Sequence, residues 1–185
     1  DIAPGAYRLG IELFGMADRT YFPLKSNPDE QRVQLGWLRV GSPEPLAPAT
    51  TELEPAVHWE GEIALVDATL PDQPVRPGAA LGVRLAWQAG RTPERDLTFF
   101  VHLINAEGEI VAQTDRRPFD GRFPTTVWLP GETLRDTYTV PLPDNLPPGE
   151  YTVRLGFYDA HGRLTLADGT TDHHTLAQTV LVAQP

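Results

Sequence analysis

Apolar and polar residues alternate with period two along most of this chain. In the run ALGVRLAWQ, Leu81, Val83, Leu85 and Trp87 fall on one side and Gly82, Arg84, Ala86 and Gln88 on the other. This is the pattern of a strand buried on one face only. EYTVRLGFYD repeats it, with Tyr151, Val153, Leu155 and Phe157 inward and Thr152 and Arg154 outward. AYRLGIELF places Tyr7, Leu9, Ile11 and Leu13 on one face. Further strands are predicted over residues 63–70, 97–104, 110–115, 133–142 and 176–182. FFVHLI is apolar on both faces, Phe99, Val101 and Leu103 against Phe100 and Ile104, which predicts a central strand covered on both sides.

Turn residues punctuate these runs. NAEGE at 105–109 and DAHGR at 159–163 have the character of short hairpin loops. RPG at 76–78, LPGE at 129–132 and PPG at 147–149 each set Pro and then Gly ahead of a strand, where a preset φ followed by a positive φ makes a tight corner. No segment carries a sustained 3.6-residue period with caps. Many short strands at even spacing predict an antiparallel β-sandwich of roughly seven to nine strands, immunoglobulin-like or jelly-roll-like.

The strand pattern also repeats. Aligning Gly5 with Gly149 brings Tyr7 onto Tyr151, Leu9 onto Val153 and Phe14 onto Tyr158, with Gly10 near Gly156. Each copy is followed by an excursion and a last strand, RVQLGWLRV in one case and TLAQTVLVA in the other. Residues 1–40 therefore match the closing strands of a module, 41–55 form a stiff Pro-rich linker, and 56–185 supply a complete module. A strand remnant alone is marginal in water, so 1–40 are expected to pack on the complete module or to complete a sheet across a contact between molecules. The alternative is one sandwich to which the opening strands are native. A chain that opens on Asp1 is expected to be a piece of a longer protein.

Bulk composition narrows the function. The formal net charge of −10 in 185 residues argues against a nucleic-acid partner, which needs clustered Lys and Arg. No apolar run reaches the length of a membrane span, so no direct membrane insertion is expected of this segment. The absence of cysteine removes disulfides, thiolate chemistry and Cys-based zinc sites.

Candidate chemistry is sparse. His173 and His174 adjoin Asp172, but neighbours on a strand point to opposite faces, and His58, His102 and His161 lack ligand spacing. Asp115, Asp120, Glu132 and Asp136 share a loop-rich stretch with Arg116, Arg117 and Arg122; salt-bridged anchors explain them more simply than a glycosidase pair. DGTTD at 168–172 and the 115–120 loop offer oxygen ligands for calcium without the full EF-hand pattern. Ser26 and Ser42 are the only serines, and no nucleophile elbow exists. Trp128, with Phe119 and Phe123 nearby, fits two roles: a platform on which a sugar stacks, or a pin that holds a long connection to the core.

One long stretch carries a more specific pattern. Val101-His102-Leu103 ends an aromatic strand, and Gly108, Asp115, Pro118 and Gly121 follow. Then come Pro124-Thr125, Trp128, Pro130-Gly131-Glu132, Asp136 and Pro148-Gly149-Glu150-Tyr151. This order resembles an extracytoplasmic β-sandwich module at the C-terminal end of polytopic bacterial glycosyltransferases of the protein-mannosyltransferase type, as in Chloroflexus-like bacteria. The resemblance covers about two thirds of the chain, and the membrane-embedded catalytic part is absent from it. It implies a non-catalytic accessory module, tethered to the cell membrane on its outer side. Glycan or the membrane-embedded part of the parent protein would be its partner, with no cofactor other than the calcium option above. Ligand contacts are expected from Trp128, Phe123, Phe119, His102 and Asp115. The alternatives are an immunoglobulin-like spacer without ligand and, behind it, a glycan-acting hydrolase domain.

Overall fold

The computed structural model describes residues 2–12, 14–15, 20–21, 32–41, 52–60 and 63–183. The chain divides into two compact units, Asp1–Glu44 and Pro45–Pro185. In the first, β1 (Gly5–Glu12) pairs antiparallel with β4 (Arg32–Val40), and β2 (Phe14–Gly15) pairs with β3 (Thr20–Tyr21). Leu13 and residues 42–51 of the predicted linker lie outside the described residues.

The second unit is a sandwich of two antiparallel sheets. One has the order β10 (Thr133–Pro141), β7 (Ala80–Ala89), β6 (Ile63–Thr69), β5 (Glu52–Trp59). The other runs β9 (Ile110–Arg116), β8 (Thr98–Ile104), β11 (Gly149–Asp159), and both β12 (Gly162–Arg163) and β13 (His174–Val182) pair with the far edge of β11. The chain passes from β7 to the facing sheet for β8 and β9, returns to place β10 beside β7, and crosses again to place β11 beside β8. This is the Greek-key winding of the immunoglobulin-like sandwich. Residues 52–55, predicted as linker, belong to β5, where Glu52 pairs with Asp67. Pro55 is tolerated because β5 is an edge strand.

The inward sets are those that alternation predicts. Leu81, Val83, Leu85 and Trp87 are buried, as are Tyr151, Val153, Leu155 and Phe157, while Arg84 is exposed. Rings from both sheets interlock at the centre. Trp87 stands 4.7 Å from Phe157 and 4.9 Å from Phe99, and Phe99 lies 4.3 Å from Phe157, centroid to centroid. Such tilted and edge-on pairs each contribute about 0.5–1.5 kcal/mol beyond the area they bury.

Both sandwich edges are tied across. At one, Arg116 of β9 grips Asp136 of β10. At the other, Leu164 N–H donates to Phe157 of the five-stranded sheet, while Glu60 N–H donates to Thr165 and Ala167 N–H to His58 at the end of β5. A further tie runs from the β6–β7 loop, where Val75 exchanges backbone hydrogen bonds with Leu181 and Ala183. Covered edges suppress pairing with other chains. No helix among the described residues is long and apolar enough to cross a membrane.

A polar face on the five-stranded sheet

The residues named from sequence fall in two groups on opposite sides of the five-stranded sheet. Trp128, Phe123 and Phe119 belong to the β9–β10 connection, which is built on two 3₁₀ turns, Pro118–Gly121 and Thr125–Val127. Trp128 is 0% exposed; its ring meets the core face of β8 at Phe99, 5.9 Å away, and its indole N–H donates to the Phe123 carbonyl at 3.3 Å. Phe123 is buried as well and packs edge-on against the half-buried Phe119 at 5.8 Å. Neither Trp128 nor Phe123 offers a ring face to solvent, so of the two roles open to them the geometry supplies the pin. The connection is held in turn by Thr125, whose hydroxyl donates to the Arg95 carbonyl at 2.7 Å and accepts from Leu97 N–H at 3.0 Å.

His102 and Asp115 lie on the outer face. Because Phe99, Val101 and Leu103 of β8 point into the core, Phe100, His102 and Ile104 point the other way. The register then sets their neighbours. Arg154 pairs with His102 and Gly156 with Phe100 on β11, while Gln113 pairs with His102 and Asp115 with Phe100 on β9. His102 Nε2 stands 3.6 Å from an Asp115 carboxylate oxygen, an approach longer than a hydrogen bond. Arg163 from β12 lays its guanidinium over the Phe100 ring at 4.4 Å, and Phe100 stacks on His102 at 4.6 Å. Gly156 leaves room for this arrangement: a Cβ there would stand 2.6 Å from the Phe100 ring and 2.8 Å from the Asp172 carbonyl.

The electrostatics follow from burial. His102 is only 4% exposed. Desolvation lowers its pKa, Asp115 pulls it back up, and Arg163 and Arg154 push it down again, so the imidazole is neutral at physiological pH. Tyr158 is raised by partial burial and by Asp115, and its phenol stays protonated. Arg154 Nε is buried and finds no hydrogen-bond partner among the described residues. Beyond Tyr158 the face runs into a groove of about 450 Å³ lined by Arg95, Asp96, Arg117 and His161, with Arg95 paired to Asp159 at 2.8 Å and Arg117 to Asp96 at 3.3 Å.

The remaining carboxylates have local partners. Asp168 accepts from Thr170 N–H and Oγ1 at 2.9 and 2.7 Å, and Asp120 lies 3.3 Å from Arg116. Glu132 accepts from Leu129 N–H at 3.2 Å. Asp172 contacts His173 at 2.7 Å on the outside, whereas His174 turns inward to the Trp59 ring, so the two adjacent histidines diverge. Among the described residues no three His, Asp or Glu side chains gather into a metal-holding group.

Arg154, Tyr158, Arg163 and Phe100 were not among the sequence candidates. Alternation places Arg154 outward, but only strand pairing puts it beside His102, which lies 52 positions earlier in the chain.

Fold and face together define an immunoglobulin-like β-sandwich module that carries a mixed cationic, anionic and aromatic patch on one sheet. No family model and no curated protein matches the chain. Among solved structures it is similar to the crystal structure of the C-terminal domain of Wzt, with a TM-score of 0.51 over 72% of this chain and 81% of that one. At 12% identity that likeness establishes the fold alone.

Proposed function

We propose that the second unit is a non-catalytic, glycan-binding accessory module, carried on the outer side of the cell membrane by a glycosyltransferase-like parent protein. The observation that carries the binding part is the cluster on the outer face, where strand register sets Arg154 beside His102 and Asp115 beside Phe100, with the guanidinium of Arg163 over the Phe100 ring. The carboxylate of Asp172 pairs with Arg163, and the phenol of Tyr158 stands beside Asp115. This mixture of fixed donors and acceptors suits the dense hydroxyls of a saccharide, each of which both gives and accepts a hydrogen bond. The likeness to the C-terminal domain of Wzt supports the sandwich on which the face is built, and the motif series from Val101 to Tyr151 supports the parental context.

A glycan array followed by titration calorimetry tests the reading. Arg154→Ala and Asp115→Ala are expected to weaken binding at least tenfold, and Phe119→Leu, on the other side of the sheet, to leave it unchanged. If no saccharide binds at millimolar concentration, the binding role is lost and a spacer remains.

A further inference from the structure

The two closing strand pairs match in detail that sequence alignment does not contain. Tyr151 at the start of β11 donates its hydroxyl to the Pro147 carbonyl at 2.8 Å, four residues upstream. This is the tyrosine corner that marks the second-to-last strand of immunoglobulin-like sandwiches. Tyr7 at the start of β1 makes the same bond to the Ala3 carbonyl at 2.6 Å, again four residues upstream. Pairing continues in the same register: Gly5 with Val40 and Tyr7 with Leu38 in one copy, Gly149 with Val182 and Tyr151 with Val180 in the other. Both ladders then slip soon afterwards, between Leu9 and Gly10 and between Thr152 and Arg154.

What differs is the cover. Tyr151 is 6% exposed and Val153, Leu155 and Val180 still less, because the four-stranded sheet lies over them. Their counterparts Tyr7, Leu9 and Leu38 are 39%, 48% and 51% exposed, and Ile11 beside them 52%. The opposite face of the β1–β4 pair is mixed: Arg8 lies 5.0 Å over the ring of Trp37, which is itself 38% exposed, and Arg32 pairs with Glu12. The face of Tyr7, Leu9, Ile11 and Leu38 is the more apolar of the two.

We infer that β1 and β4 are the last two strands of a second immunoglobulin-like module, and that Tyr7, Leu9, Ile11 and Leu38 receive the facing sheet of that module, contributed by the same polypeptide ahead of residue 1. The occupant is identified by equivalence, since the matched residues in the complete copy are buried by a sheet of this kind. An exposed apolar stripe on a sheet otherwise marks an unfilled contact.

The test compares the 185-residue chain with one extended upstream by about 100 residues of its own reading frame, the size of such a module. In the extended chain, amide exchange across β1 and β4 is expected to slow at least tenfold and binding of an apolar dye to fall severalfold. Leu38→Glu should lower the melting temperature of the added module while leaving that of the second unit unmoved in both proteins. Unchanged exchange and dye binding on extension would overturn the inference. So would a drop in the second unit's own melting temperature on Leu38→Glu in the 185-residue chain, which would place this face on that unit's sheets. Conversion of a dimer to a monomer by the same substitution would assign the face to a second copy and overturn it equally.

Discussion

Asp136 on β10 receives both terminal nitrogens of Arg116 on β9, each at 3.0 Å, and so joins the two sheets along one edge of the sandwich. The same carboxylate accepts from Phe119 N–H at 2.8 Å and from Thr137 N–H at 2.8 Å. The guanidinium lies over the Tyr138 ring at 4.1 Å. Side-chain exposures of 19% and 12% make this a largely desolvated pair. Asp136→Ala strips the guanidinium of its bidentate partner, leaving it the more exposed Asp120 and backbone carbonyls, and removes the acceptor of the Phe119 and Thr137 N–H groups; it is expected to cost about 2–4 kcal/mol in denaturant unfolding. Phe119 and Asp120 both hold positive φ, 51° and 56°, under the grip of that carboxylate. Limited proteolysis should therefore find new cleavage within residues 117–123 of the variant.

Trp128 is expected to report on stability and not on ligand. Sealed against Phe99 and Phe123, it fits the large-to-small class in which Trp→Ala costs about 3–5 kcal/mol. Thermal and chemical unfolding measure the loss. A variant that stayed as stable as the parent would show that the β9–β10 connection repacks without it.

His102 makes stability depend on pH. Its folded pKa lies below that of the unfolded chain, near 6.5, because burial and two arginines disfavour the imidazolium. The unfolded state therefore binds the proton first. The contribution of neutral His102 is full above about pH 6.5 and declines as pH falls from there toward the folded pKa. His174, lowered by burial beside Trp59, adds a slope of the same sign. Unfolding free energies between pH 7 and 5 should fall less steeply in His102→Gln, and less steeply again when His174→Gln is added. In parallel, Arg163→Ala is expected to raise the His102 titration point read by NMR, and Asp115→Asn to lower it.

Gly156→Ala tests how tightly the outer face is built. The added methyl meets the Phe100 ring at 2.6 Å and the backbone carbonyl of Asp172 at 2.8 Å, so one of them has to move. Overpacking of this kind costs about 1–3 kcal/mol. It should also displace Arg163 from Phe100, a change that chemical shifts of the Phe100 ring protons will show.

Much of the architecture was legible in the chain because side chains on a strand obey a period of two, and burial of one face writes that period into the residues. The inward set of β7, the two-faced burial of β8 and the Pro-Gly corners before β7 and β11 all follow from that rule. β5 was missed because its Pro55 and acidic residues resemble a linker; it is a strand through pairing with β6, a long-range fact. Trp128 left two roles open, since an aromatic ring in a loop has the same local signature whether it turns inward or outward.

The candidate face divides the same way. His102 and Asp115 were named from a linear motif, and alternation alone set Arg154 outward. Their convergence with Tyr158, Arg163 and Phe100 was decided by register between β8, β9, β11 and β12, strands that are distant in sequence. Local alternation tells a side chain which face of its strand to occupy. Only hydrogen-bonded pairing across the sheet determines which neighbours it meets there, and that is why the sequence by itself specified the sandwich while tertiary structure assembled the face.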